Sequence, residues 1–175
     1  MFNRINRFVL AIAIALCSVA FVFADISKDE EREINAYRLT KAKIAQFGQA
    51  TKNLLQAFEK NPRLFDNPAG SKEEKTITGM INVTNSIPAA KKAIQDAGMT
   101  ARDYWMFQMA MLYAGTGNMV LKSGGQLPEG YSKENVDFYR ANEAEFMKLD
   151  RDLKAIQKRT SESSRQGTSE EEEQP

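Results

Sequence analysis

Residues 104–121 read YWMFQMAMLYAGTGNMVL, a stretch without a single Asp, Glu, Lys or Arg. A helix that is apolar on every side is either buried among other elements or surrounded by lipid. Gln108, Thr116 and Asn118 interrupt this run, and it falls short of the ~20 residues a helix needs to cross the hydrocarbon core. The stretch therefore reads as the buried central helix of a protein core, spanning about 101–121. Thr100 and Asp103 mark its start with the spacing of a capping box, Asp standing where Glu is usual. Lys122-Ser123-Gly124-Gly125 marks its end. Ala110, Ala114, Gly117 and Asn118 are small and roughly in line, so a neighbouring helix can approach closely there.

Working outward, the flanking segments show helical periodicity. Ser27-Lys28-Asp29-Glu30 has the pattern of a capping box. Behind it Ile34, Tyr37, Ile44, Phe47, Leu54, Leu55 and Phe58 form one stripe, which predicts a single long helix ending near Asn61 before Pro62. Lys41 and Gly48 fall on that stripe and weaken it. Residues 61–71, with two prolines and a glycine, predict a loop in which Leu64 and Phe65 plug the core. Ser71 is expected to cap a second helix reaching about Ser86, with Ile77, Met80, Ile81 and Thr84 on one face. Pro88 breaks it. A short helix over 88–97 turns Ala89, Ala90, Ala93, Ile94 and Ala97 inward and closes at Gly98. After a Leu127–Gly130 turn, Ser132 caps a last helix from 133 to about 159, striped by Val136, Tyr139, Phe146, Leu149, Leu153 and Ile156. The expected fold is all-α: four main helices plus a short one, as an antiparallel bundle or compact orthogonal array around the apolar helix.

The ends of the chain differ from the middle. Arg4 and Arg7 precede an apolar run from Phe8 to Phe23, and Val22-Phe23-Ala24 resembles a cleavage site before Asp25. That order predicts a secretory signal over 1–24, a helical domain over 25–160, and a periplasmic or secreted destination. An uncleaved anchor and acylation of Cys17 are the alternatives. Leu16 argues against the second, since such sites favour a small residue there. The tail over 161–175 lacks apolar residues and is expected to be disordered and acidic.

Composition narrows the chemistry. The chain has no histidine and one cysteine, Cys17, which leaves with the signal. His- or Cys-based catalysis, the usual zinc sites and histidine-ligated haem are thereby excluded from the exported domain. Losing Arg4 and Arg7 leaves a slight acidic excess, so nucleic acid is not an expected partner. Two groups of residues remain. Tyr104, Trp105, Phe107 and Tyr113 could line an apolar ligand pocket between helices, or be core rings. Met106 and Met109, three apart, could offer soft thioethers to Cu(I), or fill core gaps. The blander reading is favoured for both. Carboxylate pairs such as Glu143 and Glu145 sit two apart and do not face each other on a helix.

The motifs AGMTARDYWMFQMAMLYAG (97–115) and LPEGYSKENVDFYRANEAEF (127–146) resemble those of a loose group of exported bacterial helical proteins of unknown function. The likeness covers about residues 30–156 and implies the helix order above, but brings no activity, cofactor or site residue. The expectation is a non-enzymatic exported protein without a cofactor or a stable membrane span after cleavage, which binds a protein partner or assists the cell envelope. A carrier of a small apolar ligand and Met-dependent copper binding are the alternatives.

Overall fold

The computed structural model describes residues 26–61 and 76–169. The predicted Leu64–Phe65 plug, the start of a helix at Ser71 and the whole signal segment lie outside the described residues. Seven α-helices occur among those described, and no strand. They are α1 (Lys28–Ala36), α2 (Lys41–Lys60), α3 (Ile77–Ser86), α4 (Pro88–Gln95), α5 (Ala101–Lys122), α6 (Lys133–Ala141) and α7 (Glu143–Ser169). The fold class is the all-α one that periodicity predicts.

The central helix is where the uncharged stretch places it. Tyr104, Met106, Phe107, Gln108, Met109, Ala110, Met111, Tyr113 and Ala114 are buried along α5, which packs against α1, α2, α3, α4 and α6. The Thr100–Asp103 capping box is formed in both directions, as is that of Ser27 and Glu30. Gly98, with φ 76°, occupies the left-handed conformation needed to leave α4. No described helix is long and apolar enough to cross a membrane.

Two helices expected to be continuous are each broken. The first is interrupted at 37–40, where Tyr37 is extended and Thr40 caps α2 by accepting from the Lys43 N–H. Both the helical stripe and the break are satisfied, because Leu39, between the helices, is buried too. The second break falls at Asn142. The seven-residue gap in the sequence stripe between Tyr139 and Phe146 conceals it. There Phe146 stacks on Tyr139 at 4.5 Å and meets Phe138 edge-on, while Asn142 Nδ2 donates to the Phe138 carbonyl. The turn sends α7 onto α2, while α6 stays on α5.

Other boundaries also move. Thr76 caps α3, accepting from the Gly79 N–H. Pro88 sits at the first position of α4, where its missing N–H costs nothing. Ala90, Ala93 and Ile94 face inward as expected, but Ala89 is exposed. The backbone of α7 continues through Ser161 to Ser169, past the point where composition predicts the tail to begin. Helix propagation adds one local hydrogen bond per residue and needs no apolar partner.

Packing directions follow from paired residues. Phe47 lies against Phe107, and Thr51 against Tyr104, so α2 runs opposite to α5. Along α5 and its neighbour, Tyr113 meets Tyr131, Gly117 faces Val136, and Lys122 pairs with Glu143. On α6 itself, Val136 faces Gly117, Tyr139 faces Gly115 and Arg140 reaches Asn118, so α6 meets α5 over its small residues between Gly115 and Asn118. The connection through Leu127 and Tyr131 returns along α5, past Gly117 to Tyr113.

Candidate functional site

The aromatic residues singled out in the sequence converge in the core. Tyr104 and Phe107 are buried on α5, and Phe47 of α2 lies between them at 4.8 and 4.9 Å between ring centroids. Trp105 is half-buried and edge-on to Tyr104 at 5.4 Å. Such stacked and edge-to-face pairs add stability beyond area burial. Their polar ends are satisfied by threonines. Tyr104 OH shares a 3.0 Å hydrogen bond with buried Thr51 Oγ1. Trp105 Nε1 donates to Thr84 Oγ1 at 2.9 Å, and that hydroxyl donates to the Met80 carbonyl. Tyr113 packs onto Tyr131 at 5.2 Å instead, whereas Tyr104, Trp105 and Phe107 share the contacts around Phe47 and Tyr104.

Burial holds the protons on these tyrosine hydroxyls. Burial pushes Tyr104 up to about 12, against the smaller opposing effect of the Thr51 hydrogen bond. Burial also raises Tyr113 to about 12, with Glu31 and Tyr131 adding to it. Tyr37 is raised by burial and by Asp103. It donates to the Asp103 carbonyl, and Lys43 Nζ lies 3.6 Å from its ring centroid.

Met106 and Met109 are both buried in the same core. No group of three or more His, Cys, Asp or Glu placed to hold a metal ion occurs among the described residues. Gln108, between Phe107 and Met109 in sequence, is itself buried, and its Oε1 accepts no hydrogen bond from the described residues.

Three polar arrangements were not anticipated from the sequence. Asn135, buried at the start of α6, donates from Nδ2 to the Tyr37 carbonyl at 2.7 Å and accepts at Oδ1 from the Leu39 N–H at 3.1 Å. Its amide thus holds the α1–α2 break as a neighbouring strand would. Asn35 returns the contact, accepting from the Ser132 N–H. Arg38 pairs with Glu134 beside it. The signal for Asn135 was present: an amide directly before the inward-facing Val136, one helical turn from Tyr139. The second arrangement is Glu30. Its Oε2 accepts from Ser27, and its Oε1 accepts from the N–H groups of Ile77 and, at longer range, Thr78. One carboxylate therefore caps both α1 and α3. The third is buried Asn118, whose Oδ1 accepts from Arg140 Nε at 3.4 Å.

On the outside, the large apolar side chains mostly in solvent among the described residues are Met119 at 64% and Met147 at 54% exposure. Each lies one helical turn from the Lys122–Glu143 ion pair that joins the end of α5 to the start of α7, with Nζ 2.6 Å from Oε1. Met119 thus stands outside the core that holds Met106 and Met109. The chain matches no protein-family model, and no curated protein or solved structure is detectably similar to it.

Proposed function

We propose that this chain is an exported, non-enzymatic helical protein that works by contacting a protein partner at the cell envelope. The observation carrying the reading is the solvent-facing pair Met119 and Met147 beside the α5–α7 junction. Methionine is enriched at protein interfaces, and its flexible thioether adapts to varied apolar partners. The signal-like segment over 1–24 supports export, and the absence of histidine supports a non-enzymatic role. The test is site-specific photocrosslinking in cells from positions 119 and 147, with position 91 as an exposed control. One discrete adduct from 119 and 147 and none from 91 is expected; equal, diffuse labelling from all three removes the reading. Sequencing the mature N-terminus checks export separately, with Asp25 as the expected first residue.

Gln108 Oε1, without a partner among the described residues, favours a second reading, carriage of a small ligand bearing one N–H or O–H donor. A few placed polar groups among apolar walls are how such sites orient their contents. Native mass spectrometry of the purified protein tests it: a bound small molecule that disappears in Gln108→Leu is expected, and a ligand-free mass in the wild type removes it.

A further inference from the structure

We propose that Met119 and Met147 are sites of methionine oxidation, a modification the folded domain accepts without losing its core. The methionines divide sharply by environment. Met99, Met106, Met109 and Met111 are buried and Met80 is half-buried, while Met119 and Met147 stand mostly in solvent. Oxidation requires the oxidant to reach sulfur, so exposure sorts the sites.

The step with hydrogen peroxide balances as follows. A sulfur lone pair attacks one peroxide oxygen, an S–O bond forms and the O–O bond breaks. Hydroxide leaves and takes the proton from the oxygen now on sulfur, giving water and the sulfoxide. Sulfur is oxidised by two electrons and the peroxide is reduced.

Location decides the consequence. A sulfoxide is polar and disrupts a core, so the same reaction at Met106 or Met109 would force the domain open. At Met119 and Met147 the new oxygen is solvated, and the Lys122–Glu143 pair one turn away needs no rearrangement. The oxidised surface loses its two apolar side chains. Any effect of that loss on partner contact rests on the functional reading above; the oxidation itself does not.

The experiment exposes the purified protein to hydrogen peroxide and maps oxygen uptake by peptide mass spectrometry, with circular dichroism in parallel. Met119 and Met147 are expected to react roughly ten-fold faster than Met106 and Met109, with the helical signal and melting midpoint retained. The double variant Met119→Leu, Met147→Leu should lose the fast uptake and leave the slow sites unchanged. Buried methionines reacting as fast as the exposed pair would overturn the proposal. So would unfolding that accompanies the first two oxygens, or a silent pair while free methionine in the same solution is consumed. The map involves no partner, so its failure is distinct from failure of the partner reading.

Discussion

From Tyr104 to Met111, α5 is packed with large side chains, whereas from Ala114 to Gly117 it carries almost none, and the two halves recruit different neighbours. The first half meets rings and threonines: Phe47 and Thr51 on α2, and Thr84 on α3. The second meets a helix at close range. A methyl group at Gly117 would stand 2.7 Å from Val136 Cγ2 and 2.9 Å from Leu127 Cδ1, and one at Gly115 would stand 3.3 Å from the Tyr139 ring. Helix separation depends on the side chains at the contact. Wide residues hold α2 and α3 off and fill the space between; small ones draw α6 in. One uncharged stretch of helix thus builds a stability core at one end and a close joint at the other, and the joint leads toward the exposed Met119.

The sharpest way to break this contrast is Phe107→Ala. Phe107 is fully buried among rings, so denaturant unfolding should show a loss of about 3–5 kcal/mol. A loss no larger than that of a surface change would mean that the first half is not the core. Next comes Asn135, the clamp of α6 on the α1–α2 break. Asn135→Leu leaves the Tyr37 carbonyl and Leu39 N–H without their partner, at a cost of about 2–3 kcal/mol. Hydrogen exchange should show faster exchange at Leu39 than at residues of the ring cluster.

Gly117→Ala sharpens the comparison directly. Overpacking against Val136 should cost about 1–3 kcal/mol, part of it offset by the ~1 kcal/mol that alanine gains over glycine in a helix. Adding Val136→Ala should recover some of the loss. The same alanine at Gly124, where nothing lies within 4 Å but φ is 83°, should destabilise only through the backbone.

Smaller still is Glu30, which caps α3 and so supports the ring-rich half through Thr84. Burial pushes its carboxyl up, but hydrogen bonds from Ser27, Thr78 and Ile77 outweigh that and hold it below the ordinary 4.5. A depressed carboxylate contributes stability that is present above the unfolded-state value and lost as pH falls through the folded one. Glu30→Ala should cost about 1 kcal/mol at neutral pH, and its melting curve should converge on the wild type below that range. Smallest of all, Met119→Gln and Met147→Gln should change stability by no more than about 0.5 kcal/mol, since both side chains already face water. A larger loss in thermal melts would place them in the core.

Much of this was legible because helix signals are local. The uncharged run, both capping boxes, the Gly98 closure and the small face that receives α6 each rest on residues within a turn or two of one another. Gly48 was legible only as a flaw in a stripe. The structure supplies its reason: a methyl group there would stand 2.9 Å from Leu149 of α7. The break at 37–40 was not legible, because Leu39 keeps an apolar residue in the core where the chain leaves the helix, and the amide holding the break lies about a hundred residues away in Asn135. The aromatic residues were found, but not how they divide. Tyr113 turns to Tyr131, while Tyr104, Trp105 and Phe107 are joined by Phe47.

By itself, then, the order of side chains determined that this protein is helical, where its central helix lies and which ends are capped, since these depend on a 3.6-residue repeat and on bonds spanning three or four positions. Tertiary structure alone decided which helices run side by side, where two of them break, and which methionines meet water. Those outcomes depend on distant groups such as Asn135, Val136 and Glu143 arriving in one place, and no local repeat encodes that arrival.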